Sequence, residues 1–467
     1  MTAAQVAAVL GGELLPGTDP AAQVTGAVID SRQAGPGQLF VAIPGEHADG
    51  ADFAAAAVTA GSPFALVQRP VPAPGVLVPD AVAGLGALAR LALADLRQGG
   101  PGPLVIALTG SVGKTTAKDL LARICTDQGP TVAPVGSFNN HLGLPLTVLR
   151  ADTTTRFLVL EMGANHVGEI AHLAAIAPPD VAVELGVVPA HLGEFGSIEA
   201  IAATKAELVQ GLRPGGTAVL NADDPRVMAM APLAPGPVLT FGLGPGADIR
   251  GERVATAADG TLELLVAGHP IRTRLVGEHL APNVVAAVAA GVAAGMDLTA
   301  AVASLNGAGP DSPGRMALVP LVGGATLVDD SYNANPASLA GALRTTASLA
   351  RAAGRPAWAV LGEMLELGPA GPAEHVAAGR LAAELGFARL YAVGEAVRPA
   401  LQGAADAGMA PQALEFWPDD TGLAAHLMAA ARQEFIVIKG SHGSGIWRVA
   451  ARLAADAGVP AAGGGGA

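Results

Sequence analysis

"LTGSVGKTTAKDLL", residues 108–121, decides the fold. The apolar run "PLVIAL" (103–108) leads into it, and an amphipathic pattern with Leu120, Leu121 and Ile124 on one side follows. A strand, a glycine-bearing loop and a helix in that order make a phosphate cradle, because backbone N–H groups and the helix dipole face a bound anion. The common spacing is G-x-x-x-x-G-K-[ST]. Here Leu108 stands where the first glycine should be, and only Ser111 and Val112 separate Gly110 from Gly113. The glycines let the backbone approach phosphate oxygens. Lys114 would reach the terminal phosphates, and Thr115 would offer its hydroxyl to Mg²⁺. The plainer alternative is a strand–helix turn with a surface lysine.

Bulk properties narrow the setting. The 467 residues suggest about three domains at ~150 residues each. Hydrophobic residues make up 51% but aromatics only 3%, so the core is built from alanine and valine. The net charge of −13 argues against a broad nucleic-acid surface. A single cysteine, Cys125, excludes an intrachain disulfide. The charge-free stretch Leu280–Met296 is near the lower limit of a spanning helix, roughly 17 residues, but it carries Pro282 and Asn283 and reads as a packed helix. The N-terminus shows no basic region or cleavage signature, so a cytoplasmic protein without membrane contact is expected.

Outward from the loop, the chain divides at Gly/Pro-rich boundaries. Residues 1–98 form a first unit ending in a helix over 81–97. Residues 99–311 form the second, where "RFLVLEMG", "DVAVELGVV", "GTAVLNAD" and "PVLTFG" continue a strand–helix alternation. That alternation predicts a parallel sheet covered on both faces. Residues 312–460 repeat it with "ATLVDDS", "AWAVLGEM", "RLYAVGE" and "FIVIKGS", a smaller doubly wound domain. The tail 461–467 reads as disordered. The fold class is α/β with three domains.

Glu161 ends the strand-like "FLVLE". Ligands gather beyond the carboxyl ends of parallel strands, so Glu161 and Thr115 can share a metal there, although a solvated strand-end acid is the plainer choice. Lys205, in "AIAATKAELVQGL", reads on its own as a solvated helix charge, and His191 as a loop histidine. Asn283 reads as a helix cap, and the Asn139–Asn140 pair as a turn plus a cap.

Thr109, Gly110, Ser111, Val112, Gly113, Lys114, Thr115 and Thr116 nevertheless follow T-G-[TS]-x-G-K-[TS]-[TS]. That pattern resembles the ATP site of the Mur ligases, and the short glycine spacing is that family's own. The resemblance runs through nearly the whole chain: "DSRQAGPGQLFVAIPGEHADGADF" (30–53), "GSFNNHLGLPLTVLR", "EMGANHVGEI", "AHLGEFGSIEAIAATKAEL", "LNADD", "DDSYNANPASL", "LGEMLELG" and "KGS", in order. "DDSYNANP" is similar to the branch that adds D-alanyl-D-alanine. The branch adding the third amino acid has Asp-Tyr-Ala-His-x-Pro instead and often a D-N-P-R motif in its last domain; "DDPR" at 223–226 lies in the middle unit. Val112, Ala51, Gly186 and His141 depart from the usual pattern.

The resemblance implies a uridine-nucleotide first domain, a central ATPase domain and a Rossmann-like third domain. It implies ATP-driven amide formation in peptidoglycan precursor synthesis, through an acyl phosphate, by a monomer. The substrates would be UDP-N-acetylmuramoyl-tripeptide and D-alanyl-D-alanine. It assigns Thr115 and Glu161 to one Mg²⁺, and His191 and a CO₂-carbamylated Lys205 to another. Carbamylation needs a neutral amine, hence a lysine whose pKa burial has lowered. Asn283 matches an adenine contact, Asp330 a ribose contact and Arg315 a γ-phosphate contact, with Asn333 and Asn335 on the loop toward ATP. Ser31 and Arg32 match the uridine-diphosphate end, Asn139 and Asn140 the sugar-peptide portion. Lys439 and Ser441 would face the incoming dipeptide; His375 and His442 are taken as surface histidines. Two alternatives stay open: another ligase of the superfamily, of the third-amino-acid or folate/polypeptide type, and a catalytically inactive ATP-binding switch.

Overall fold

A computed structural model describes residues 1–45, 48–100, 102–189, 192–257 and 259–458. Three sheets follow one another along the chain. The first contains β1 (Glu13–Leu14), β2 (Gly26–Val28), β3 (Gln38–Val41), β4 (Ala65–Val67) and β5 (Gly75–Leu77), in the order β1-β5-β4-β3-β2. Only β1 is antiparallel to its neighbour. The expected helix at its end spans Ala81–Gln98, with Asp80 capping it by accepting from the Val82 and Ala83 N–H groups.

The central sheet holds β6 (Leu104–Thr109), β7 (Thr131–Val132), β8 (Phe157–Glu161), β9 (Val181–Glu184), β10 (Thr217–Asn221), β11 (Val238–Gly242), β12 (Ile249–Thr256), β13 (Thr261–Val266) and β14 (His269–Val276). Their order is β14-β13-β12-β11-β10-β9-β6-β8-β7, parallel from β7 through β12. β6 is therefore interior, and its "LVIALT" run is covered on both faces, which is why no polar residue interrupts it. The helix Lys114–Gln128 buries Ala117, Leu120, Leu121, Ile124 and Cys125, the i, i+3, i+4 spacing expected of one apolar face. It packs on the helix Ala281–Ala293, whose alanines and valines are buried nearly all round. That burial accounts for its charge-free sequence. Among the described residues no helix is long and apolar enough to cross a membrane.

The third sheet contains β15 (Ala317–Pro320), β16 (Thr326–Asp329), β17 (Ala357–Leu361), β18 (Arg389–Val393), β19 (Leu414–Trp417) and β20 (Phe435–Lys439), in the order β15-β16-β20-β17-β18-β19. Separate apolar clusters lie on its two faces, as a doubly wound sheet requires. The antiparallel extension β12–β14 was not anticipated. Its alternating burial, as in β13, marks strands with one covered face. The predicted disordered tail lies outside the described residues.

Candidate active site

β6 stops at Thr109, and Gly113 opens the following helix with φ of 81°. Glycine is required twice over at 113. The backbone is left-handed, and a Cβ would lie 2.3 Å from Asn283 Oδ1. Asn283 thus packs directly on the loop from the helix Ala281–Ala293. Ser111 ties the loop to the segment after β9: its N–H donates to the Gly186 carbonyl (2.9 Å), and its hydroxyl donates to the Val188 carbonyl (3.0 Å). Only the backbone of Gly186 is used there, so the departure at that position leaves this tie intact. Lys114 folds back and donates to the Gly110 carbonyl at 2.9 Å.

Strand register brings two carboxylates to the end of β6, one residue apart. Leu108 pairs with Glu161 on β8, and Thr109 pairs with Glu184 on β9. Glu161 and Glu184 are 1% and 0% exposed. The Asn139 side-chain amide donates to Glu161 Oε1 at 2.7 Å, but Glu161 Oε2 and both Glu184 oxygens have no hydrogen-bond partner. Lys205, 3% exposed, comes from the helix Ile198–Gln210, which packs on β6 and β9. Burial, with the Lys114 cation nearby, lowers the Lys205 pKa to about 7. Burial likewise lowers the Lys114 ammonium and raises the Glu184 carboxyl.

Half of the orphaned buried side-chain atoms among the described residues belong to Thr109, Glu161, Glu184 and Arg315. Native folds leave few such atoms, so their concentration at one strand end marks a ligand site. The donor set suits a hard cation: a carboxylate oxygen without a partner and the Thr115 hydroxyl, at the end of a phosphate-type loop.

The third sheet reaches into this site. Arg315 donates to Thr115 Oγ1 at 3.0 Å and lies over the Tyr332 ring, 4.4 Å from its centroid. The Tyr332 hydroxyl is hydrogen-bonded to Ser137. Gly193 N–H donates to the Glu366 carbonyl at 3.2 Å, and Glu366 holds φ of 65°, an uncommon conformation for a residue with a side chain.

The chain belongs to the Mur ligase family. Its middle-domain model matches residues 108–291, its glutamate ligase domain model 314–442, and its catalytic-domain model 23–90. The UDP-N-acetylmuramoyl-tripeptide–D-alanyl-D-alanine ligase of Mycobacterium tuberculosis is 41% identical over 98% of both chains. The crystal structure of MurF from Acinetobacter baumannii superposes with a TM-score of 0.82 at 30% identity, covering 97% of this chain and 98% of that one. MurF from Thermotoga maritima, solved in complex with ADP, gives 0.75 at 27% identity over 94% and 98%.

Of the sequence-predicted residues, Lys114, Thr115, Glu161, Lys205, Asn139, Asn283 and Arg315 converge. Asn140 and Asn335 are turn and cap residues: Asn140 accepts from the Leu142 and Gly143 N–H groups, and Asn335 caps the helix Pro336–Ala353. Ser31 and Arg32 lie at the carboxyl end of β2, where Arg32 is exposed and paired with Asp30. Lys439 is buried. It pairs with Asp330 Oδ2 at 2.5 Å and donates to the Asn333 carbonyl at 2.8 Å. Ser441 accepts from Leu365 N–H. His191 lies outside the described residues.

His375 corrects the sequence reading. It is 2% exposed, accepts from Met364 N–H at Nε2 and contacts the Gly371 carbonyl at Nδ1. It is a buried pin for the loop that carries Glu366. His442 is exposed, yet stacks on Trp447 at 5.4 Å. The sequence reading missed Glu184, Glu366 and Tyr332. Glu184 did carry a signal, since it ends a strand as Glu161 does.

Proposed function

We propose that this chain joins D-alanyl-D-alanine to UDP-N-acetylmuramoyl-tripeptide at the expense of ATP, in cytoplasmic peptidoglycan precursor synthesis, acting as a monomer. The observation that carries the reading is the cluster of half-buried Lys114 with buried Glu161 and Lys205 at the mouth of the phosphate loop, joined by Arg315 from just before the third sheet. The names of the similar proteins support this choice of substrates.

A carboxylate is a poor acyl donor because its leaving group would be oxide. Its oxygen attacks the γ-phosphorus of ATP, ADP leaves, and an acyl phosphate forms. The dipeptide amine then attacks the carbonyl carbon. A tetrahedral intermediate collapses, phosphate leaves with the former carboxylate oxygen, and the amine proton passes to solvent. Lys114 holds the terminal phosphates. Arg315 moves from the Thr115 hydroxyl to the γ-phosphate, where its charge counts most as negative charge shifts. Mg²⁺, held by Thr115 and Glu161 and by His191 with carbamylated Lys205, would supply further charge neutralisation.

Thr109 to Thr116 line the phosphates, and Asn283 faces the adenine. Asp330 retains lone pairs for a ribose hydroxyl beyond its bond to Lys439. Asn333 and Asn335 shape the loop beside it, braced from behind by Lys439 and Ser441. Residues 1–98, through Ser31 and Arg32, take the uridine diphosphate, and Asn139 and Asn140 border the sugar-peptide. Residues 99–311 bind ATP. Residues 312–460 close over the site and exclude water from the acyl phosphate.

Phosphate release from Mg-ATP tests this, with each substrate alone and then both. Release only with both, together with the pentapeptide mass, is expected. Release with neither substrate would replace the ligase by an ATP-hydrolysing switch.

A further inference from the structure

Glu184 has no role in the reading above, yet it is fully buried with neither oxygen hydrogen-bonded. A fully buried carboxyl with two unpartnered oxygens forfeits its hydration and makes no hydrogen bond in return. Protonation does not settle the account, because a neutral carboxyl would still bury an unpaired O–H and an unpaired carbonyl. Neither Lys114 nor Lys205 hydrogen-bonds to it.

Register shows where it points. Glu161 is level with Leu108, whereas Glu184 is level with Thr109, the next residue along β6. Successive strand residues face opposite sides. The apolar clusters agree: Leu108 and Val183 belong to the face covered by the helix Lys114–Gln128, while Ala107 and Ala182 belong to the other. Glu161 therefore opens toward Thr115. Glu184 opens toward the helix Ile198–Gln210, and Lys205 is the charge it feels most strongly.

We propose that Glu184 is a direct carboxylate ligand for a divalent cation on the Lys205 side of the β6 terminus, separate from the cation position at Thr115 and Glu161. It gives that subsite a carboxylate that ionises as the cation binds, so cation binding there does not depend wholly on carbamylation of Lys205. This rests on the ligase reading and adds a ligand to it.

The test is Mn²⁺ titration of the full chain, followed by electron paramagnetic resonance with ATP present and bicarbonate removed. The wild type, Glu184→Gln and Glu161→Gln are compared. The proposal expects Glu184→Gln to weaken one Mn²⁺ by at least roughly tenfold, the lower end of what even indirect partners of metal ligands contribute. The other Mn²⁺ should stay bound, and Glu161→Gln should show the converse. Thermal unfolding in EDTA checks folding. Glu184→Gln and Glu184→Val should unfold no lower than wild type, and Mg²⁺ should raise the wild-type midpoint more than either variant's. Wild-type Mn²⁺ binding by Glu184→Gln would overturn the proposal and leave the ligase reading standing. No Mn²⁺ binding by the wild type with ATP would overturn both.

Discussion

Two buried lysines sit at carboxyl ends of parallel strands or beside them, and they are solved differently. In the third sheet, Lys439 has a complete set of partners: Asp330 at 2.5 Å and the Asn333 carbonyl at 2.8 Å. Asp330 in turn accepts from Met316 N–H. In the central sheet, Lys205 faces Glu184, whose oxygens are both orphaned, and Glu161 keeps one free oxygen. The first arrangement is complete without a ligand. The second is not, and that incompleteness separates a brace from a reaction site.

The largest effect is expected at Lys205. Lys205→Ala should lower turnover by at least about a hundredfold, the scale of losing one preorganised electrostatic group. Small carboxylic acids should restore part of it. Full activity in the unsupplemented variant would end the carbamate assignment. The same lysine sets a pH dependence. Its pKa lies at about 7 rather than at the ordinary 10.5, so the amine is neutral above about 7. Carbamylation needs that neutral form, so turnover should rise as pH passes upward through about 7. The unfolded chain binds this proton more tightly, so the lysine's contribution to stability also rises with pH from about 7 towards 10.5.

Lys439 should behave as a brace. Lys439→Met strands a buried Asp330, a loss of about 3–5 kcal/mol read from denaturant unfolding. Adding Asp330→Asn should recover much of it. A stable Lys439→Met protein with lost turnover would instead place Lys439 in the chemistry. The smallest effect should come from Tyr332→Phe, which removes the hydroxyl bonded to Ser137. One such bond is worth about 1 kcal/mol. The KM for ATP should rise modestly with kcat nearly unchanged, because Tyr332 supports Arg315 without touching the reacting atoms.

These contrasts also show what the sequence could reveal. The strands around β6 were legible because interior parallel strands are uninterrupted apolar runs. The loop was legible because its chemistry needs Gly113, Lys114 and Thr115 together. Lys205 was legible only through family resemblance, since one lysine on a helix says nothing about burial. Glu184 looked like any strand-end acid, and its orphaned state appears only once β9 is paired with β6. His375 was misplaced for a related reason. An alanine-rich helix has weak amphipathic contrast, so the pattern does not say which face holds the histidine. Strands β12–β14 escaped because their polar, half-covered alternation resembles loop sequence.

An oxygen atom of the acyl-donor carboxylate reports whether an acyl phosphate forms. UDP-N-acetylmuramoyl-tripeptide labelled with ¹⁸O at both oxygens of its reacting carboxylate is turned over with ATP and D-alanyl-D-alanine, and the released phosphate is weighed by mass spectrometry. Passage through an acyl phosphate predicts one ¹⁸O in each phosphate formed. Unlabelled phosphate alongside pentapeptide product would contradict it.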